Sequence, residues 1–140
     1  MGLIDLREMQ IDDYDEISHL WQQTSGIGLS DADSYENIDT FLQRNKGLCF
    51  VSLMQDKIVG TILCGQDGRR GYIYHCMVHP ECRKSGVAYA LIKQSLNTLK
   101  RIGIHKCHLF AFENNVDGTN FWSHMGWTKR KDLVIFSKSI

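Results

Sequence analysis

At 140 residues, with 43% apolar and 23% charged side chains, the chain has the balance of one soluble globular domain spanning residues 1–140; that balance is not one of a fibrous or disordered polymer, and a second domain is not expected. Sixteen basic and sixteen acidic side chains cancel to a formal charge of zero, so no overall field favours nucleic acid or an anionic membrane. The longest apolar runs, such as 58–64, fall far short of the ~20 residues that span a bilayer, and the start lacks a basic-then-apolar leader pattern. The expectation is a cytoplasmic protein with neither a nucleic-acid nor a membrane partner.

Five cysteines, at 49, 64, 76, 82 and 107, form no C-x-x-C pair. An odd count would leave a thiol unpaired in an oxidising compartment, so they read as reduced thiols, mostly in the core.

Residues 3–9 alternate and predict a first strand. Asp12 and Asp13 then offer N-caps to an amphipathic helix carrying Tyr14, Ile17, Leu20 and Trp21 on one face. Residues 24–33, rich in Gly, Ser and Asp, read as a loop of the kind that borders sites. A second helix is expected over 34–44, with Ile38, Phe41 and Leu42 inward and Asn45-Lys46-Gly47 as its stop. Two β-rich runs, 48–55 and 58–65, flank Asp56-Lys57, a two-residue hairpin connection. A third antiparallel strand over 71–78 follows the polar turn 66–70. Val87, Ala88, Leu91, Ile92, Ser95, Leu96 and Leu99 then recur at helical spacing up to Gly103. The tail holds a strand at 106–112, a helix at 116–125 and one or two short closing strands within 128–137. The order predicts an α+β fold: a mixed, mostly antiparallel sheet with helices on both faces.

The chemistry-bearing segment is Val78-His79-Pro80-Glu81-Cys82-Arg83-Lys84-Ser85-Gly86-Val87-Ala88, where a turn feeds a helix N-terminus. The first amides of a helix have no intrahelical acceptor, and the dipole puts about half a positive charge there, so such an end attracts anions. Gly86 permits close approach of backbone to phosphate, Ala88 keeps the next contact small, and Arg83 and Lys84 add full positive charges.

In this order of strand, proline, basic turn and amphipathic helix, the sequence resembles the GNAT superfamily of N-acetyltransferases. That family's acyl-CoA motif runs roughly V-x-P-x-x-(R/Q)-x-x-G-x-(G/A); Val78, Pro80, Arg83, Gly86 and Ala88 match it. The resemblance implies acetyl-CoA as co-substrate, with the backbone of Met77 and Val78 pairing with the pantetheine arm. It further implies that the amides of Lys84, Ser85, Gly86, Val87 and Ala88 hold the pyrophosphate. A second family pattern, N-x-x-A-x-x-F-Y-x-x-x-G-F, is met by Asn115, Phe121, Gly126 and Trp127, with Gly118 in place of the alanine and Trp122 in place of the tyrosine, and the resemblance counts Asn115 among the cofactor-binding residues. Asn114, Asn115 and Asp117 also suit a strand-to-helix turn and an N-cap. Phe121 and Met125 read as packing residues.

Acyl transfer to an amine needs a route for the amine's proton. Period-two alternation puts Tyr72, Tyr74, Cys76 and Val78 on one face of the third strand, and Ile73, His75 and Met77 on the other. In similar enzymes, bases or water-ordering residues stand at positions matching Tyr72 or Tyr74. A phenol orders water but is a poor base at neutral pH. His75 is chemically the better proton acceptor but alternates away from the tyrosines, and a bulge of the kind common in this family's strand would reverse that. His79, just before Pro80, reads as a turn residue. The turn 65–71 is a candidate wall for the acceptor pocket, and Asp31, Asp33 and Glu36 are candidates for binding a cationic amine. Trp122 cannot act as the tyrosine acid of similar enzymes, because an indole N–H only donates a hydrogen bond.

His75, Cys76, His79 and Cys82 fall within eight residues, but residues 75 and 76 point to opposite faces, so no metal site is expected. An acyl-cysteine route through Cys76 or Cys82 is chemically open but unnecessary for direct attack. The reading is acetyl transfer from acetyl-CoA to a primary amine, of small molecule or protein. The alternative is a non-catalytic acyl-CoA sensor, and the oligomeric state is left open between monomer and homodimer.

Overall fold

The computed structural model describes residues 4–140, and the chain divides into two compact units, one ending at Phe110 and one beginning at Ala111. The first unit runs β1 (Asp5–Glu8), α1 (Tyr14–Gln23), α2 (Tyr35–Arg44), β2 (Phe50–Met54), β3 (Lys57–Gln66), β4 (Gly71–Val78), α3 (Val87–Arg101) and β5 (Cys107–Leu109). Single 3-10 turns lie at Ile11–Asp13, Asp31–Asp33 and Pro80–Cys82. The strands lie side by side in chain order, antiparallel from β1 to β4 and parallel between β4 and β5. Of the predicted first strand over 3–9, residue 3 lies outside the described part.

Glycines set the two layers. A Cβ on Gly60 would lie 3.1 Å from both Leu91 and Val87 of α3, whereas one on Gly65, five residues on and therefore on the opposite face, would meet Phe41 of α2 at 3.0 Å. The face covered by α1 and α2 holds a core of Ile17, Leu20, Trp21, Ile38, Val51, Leu63 and Met77. Helix α3 buries Val87, Leu91, Ile92 and Leu99 on the opposite side. Ser34 accepts from the amide of Asn37 at 3.2 Å to start α2. Arg7 grips Asp13 with two bonds of 2.9 and 2.7 Å, tying β1 to the start of α1. Burial would raise the Asp13 carboxyl, but the Arg7 guanidinium and the Gln10 amide outweigh it and hold the group below the usual carboxylate range.

Three expectations are corrected. The hairpin between β2 and β3 turns on Gln55-Asp56, one residue earlier than Asp56-Lys57. Both turn residues have positive φ, 51° and 64°, and aspartate accepts that conformation more readily than lysine. The strand expected over 106–112 pairs only at Cys107–Leu109, because β4 bulges beyond Ile73 and offers no further register. Residues 128–137 form no strand: Leu133, Val134, Ile135 and Phe136 are exposed, and among the described residues no second strand presents hydrogen bonds to them.

The second unit is built around α4 (Val116–His124). Asn115 Oδ1 accepts from the amide of Gly118 at 3.0 Å and so caps the helix. A Cβ on residue 118 would come within 2.6 Å of the Asn115 amide group, which accounts for glycine at that position.

One close fit seats β4 on α3: a Cβ on Gly71 would lie 2.5 Å from a methyl of the buried Leu99. Gly71→Ala is therefore expected to destabilise the fold by about 1–3 kcal/mol through overpacking. Combining it with Leu99→Ala should recover part of that loss, as read from urea-unfolding midpoints of the single and double variants.

Candidate active site

The pairing of β3 with β4 slips by one residue. Thr61 faces Met77 and Leu63 faces Tyr74, so Ile62 alone stands opposite His75 and Cys76. This is a bulge, and its first residue, His75, has φ 46°, in the left-handed region that a side chain rarely adopts. The extra residue corrects the alternation expected for an ideal strand. Tyr72, Tyr74, His75 and Met77 all face α1 and α2: Tyr74 packs on Phe41, His75 on Trp21, and Met77 in the core beside Trp21. Val78 lies opposite Gly60 and shares its α3-facing side.

Several groups hold the bulge. Thr61 Oγ1 donates to the His75 carbonyl at 2.8 Å while accepting from Trp21 Nε1 at 3.0 Å. The His75 ring lies edge-on to Trp21, with centroids 4.7 Å apart. Its Nε2 is 2.7 Å from Asp33 Oδ1, and the two side chains are only 12% and 13% exposed. Asp33 is itself fixed: Oδ2 accepts from the Ser30 amide at 3.0 Å, and its carbonyl accepts from the Tyr14 hydroxyl at 2.6 Å. Of the three acids considered for a cationic substrate, Asp31 and Glu36 stand exposed, and Asp33 is engaged with His75.

Beyond the bulge, β4 has an open edge. β5 pairs only with residues 71–73, and among the described residues no strand pairs with 74–78 on that side. The His79 amide donates to Val59 across on β3 at 2.7 Å, so alternation turns the backbone of Met77 toward β3 and that of Val78 toward the open edge. Of the two residues expected to offer backbone to a ligand, Val78 thus presents its backbone to the open edge, as Cys76 does, and Met77 presents its own to β3.

Past Val78 the chain makes the 3-10 turn, and Glu81 N donates to His79 Nδ1 at 3.2 Å, which makes His79 a turn residue as expected. Lys84 and Gly86 then adopt φ of 64° and 86° before α3 begins. The amides of Lys84, Ser85, Gly86, Val87 and Ala88 meet no acceptor among the described residues. Left-handed residues in such a turn are a feature of anion nests, and Lys84 and Gly86 stand at the positive end of a 15-residue helix. Lys84 is exposed beside it, while Arg83 is partly used: its Nε donates to the Val78 carbonyl at 3.2 Å. The candidate anion site is thus chiefly backbone, at the foot of the open edge.

On the α1/α2 face, Tyr72 lies nearly parallel to Phe110, with ring centres 6.4 Å apart, and 5.8 Å from His108. Burial first, and then the neighbouring Tyr72 and Cys107, push the Tyr74 phenol above its usual range, so it stays protonated at neutral pH and acts as a donor. A hollow of about 290 Å³ is walled by Tyr72, Tyr74, Phe41, Arg44, Gln66 and Asp67, so the turn after β3 does line a cavity. A second, of about 220 Å³, lies over Trp21, Tyr14, Leu29, Ser30 and Asp33.

In the second unit, Trp122 meets Phe121 and Trp127 edge-on, each with ring centroids 5.1 Å apart. Asn115 is accounted for by its cap on α4. Among the described residues no three His, Cys, Asp or Glu side chains converge as a metal site. All five cysteines are free thiols; Cys49 and Cys64 are buried and the other three half-buried, fewer in the core than expected.

The contacts that matter most here were absent from the sequence reading. Asp33 and His75 are 42 residues apart, and Trp21 and Thr61 are 40 apart, so no local spacing announces either pair. The loop's polar composition was the only signal.

The model of the Acetyltransferase (GNAT) family matches residues 14–127. The Photorhabdus laumondii protein named acetyltransferase plu1384 is 31% identical over 138 residues, covering 98% of this chain and 96% of its own. The chain belongs to the GNAT acetyltransferase family, and acetyl transfer is its class of activity. A predicted acetyltransferase from Clostridium acetobutylicum, solved with acetyl-CoA, superimposes with a TM-score of 0.75 at 18% identity over 96% of both chains. The PaiA N-acetyltransferase of Thermoplasma acidophilum, solved with coenzyme A, does so with a TM-score of 0.77 at 18% identity over 89% of both. At these identities the two structures speak for the fold, a mixed α+β GNAT fold.

Burial pushes the Cys76 thiol up to about 12, so at neutral pH almost no thiolate exists to act as a nucleophile. Alkylation of Cys76 by iodoacetamide at pH 8, followed by peptide mass mapping, is expected to be on the order of 100-fold slower in the folded protein than in urea. Equal rates in the two states would return the thiol to the list of nucleophiles.

Proposed function

We propose that the chain is a cytoplasmic acetyl-CoA-dependent N-acetyltransferase acting as one domain over residues 1–140, transferring acetyl to a primary amine by direct attack. The observation that carries this reading is the continuity of two backbone features. The open edge at Cys76 and Val78 runs into five unpartnered amides at the N-terminus of α3. An extended amide-containing arm needs strand-like hydrogen bonds, and a pyrophosphate needs convergent N–H donors. The chain offers both in the order in which coenzyme A presents them. Cys76 and Val78 would hold the pantetheine arm, and Lys84 to Ala88 the pyrophosphate. Acetyl-CoA supplies the activated thioester; metal chemistry has no part in the proposal.

The acceptor enters from the α1/α2 face, where Tyr72 and Tyr74 wall the larger hollow and order water around the amine. His75 takes up the amine's proton, since an imidazole nitrogen carries a basic lone pair and a protonated phenol does not. Trp122, at the position of a tyrosine in similar enzymes, donates its indole N–H to the developing negative sulfur. A thiolate leaves with no more help than that.

Acetyl-CoA at ~100 times its dissociation constant is expected to stabilise the protein by roughly 2.7 kcal/mol in thermal unfolding, with adenosine far less effective. Gly86→Glu should abolish this, while Gly86→Ala, which carries the same backbone strain and would meet Ile4 at an ordinary contact distance of 3.6 Å, should keep most of it. A panel of amines read by release of the coenzyme A thiol then separates transfer from mere binding. Unchanged affinity in Gly86→Glu would overturn the cradle; binding without turnover on every amine would favour a sensor.

For Trp122, replacement by Phe is expected to lower kcat several-fold with little change in acetyl-CoA affinity. A strong rise in kcat on Trp122→Tyr would mark a site that had lost its acid.

A further inference from the structure

The Asp33–His75 pair goes beyond the roles proposed above. A carboxylate can only accept, so the 2.7 Å contact assigns the proton on that side to His75 Nε2 and leaves Nδ1 as the atom with a lone pair. Nδ1 has no hydrogen-bond partner among the described residues, and since none of the buried side-chain nitrogens there lacks a partner, Nδ1 keeps some contact with solvent. The imidazole therefore has one nitrogen clamped from the loop before α2 and the other without a partner among the described residues. The clamp is built rather than incidental. Asp33 is fixed through Ser30 and Tyr14, and His75 sits at φ 46° on a bulge whose carbonyl is held by Thr61. An unclamped histidine interconverts between two tautomers, and only the Nε2–H form presents a basic Nδ1.

We infer that Asp33 is a positioning residue for acetyl transfer: it fixes the His75 ring and its Nε2–H tautomer, so that Nδ1 is the atom that receives the acceptor amine's proton. As the neutral amine attacks, the N–C bond forms and the C–S bond breaks. The surplus N–H proton passes to Nδ1. The imidazolium so formed is paired with Asp33, and it returns the proton through solvent or to the departing thiolate, which ends as the free thiol. The side chain of Asp33 neither touches substrate nor changes its own proton count. This inference rests on His75 being the base.

Asparagine at position 33 tests it, because its NH2 group would donate to Nε2 and so drive the proton onto Nδ1. Nitrogen-15 imidazole NMR of the ligand-free protein should report Nε2–H in the wild type and Nδ1–H in Asp33→Asn. The same variant should lose about 100-fold or more in kcat, with acetyl-CoA affinity held. Wild-type protein in the Nδ1–H form would overturn the inference without any variant having to fold. A switched tautomer with kcat unchanged would overturn it as well, showing Asp33 to be a loop clip only. Should Asp33→Asn fail to fold, Asp33→Ala supplies the kinetic arm, with a loss of about 10-fold or more expected and an unchanged kcat fatal. Failure of every amine to release thiol with wild-type enzyme would sink the transferase reading and the inference with it. In that case the tautomer measurement would still describe the clamp.

Discussion

The single extra residue in β4 is the feature on which the rest of the site depends. In an unbroken strand His75 would have followed Ile73 onto the α3 side, and the ladder to β5 would have run on past residue 73. The bulge does two things at once: it swings an imidazole onto the face that carries Tyr72 and Tyr74, and it ends the pairing with β5 so that the backbone of Cys76 and Val78 is left on an open edge. A non-glycine residue at φ 46° costs of order 1–3 kcal/mol and persists only where its surroundings over-determine it. Here the surroundings are Thr61 on the carbonyl, Trp21 on the ring and Asp33 on Nε2, drawn from a strand, a helix and a loop.

The anion site obeys a different economy. Its donors are amides, aimed by the left-handed turns at Lys84 and Gly86 and supported by the dipole of α3. Of the two basic side chains in the turn, Arg83 spends its Nε on the Val78 carbonyl, where it fixes the turn against the end of β4. The proposed binding of a highly charged ligand thus asks for no excess of basic residues in a chain of zero formal charge, because partial charges on fixed backbone act at short range.

What was legible in the sequence follows from how local each signal is. The boundaries of β4 and the run of α3 were readable because strand alternation, Pro80, Gly86 and Gly103 all fall within or beside those elements. The cradle was readable for the same reason, being one continuous stretch. The closing strands were not, since the β-prone run Leu133 to Phe136 becomes a strand only where a partner exists, and partnership is a tertiary fact. The face occupied by His75 was equally hidden. A bulge shifts every residue beyond it by one, and nothing in Tyr74-His75-Cys76 distinguishes the bulged strand from the regular one. Asp33 looked like one of several loop acids because its role is set by a residue 42 positions away.

The distribution of strained residues ties these points together. Among the described residues four non-glycine residues have positive φ, and two of them, Gln55 and Asp56, are accounted for by the two-residue hairpin they form. The other two, His75 and Lys84, are required by no hairpin, and they bracket the open edge of β4, one at its start and one in the turn just beyond its end. Backbone strain of this kind is retained where a simpler conformation would fold as well but would lose a function. Replacing the bulge by a regular strand would extend the β4–β5 ladder and close the edge. Relaxing Lys84 to a right-handed conformation would redirect the amides that lead into α3. Both relaxations would relieve strain, and both would change the surface on which the proposed acyl-CoA arm lies.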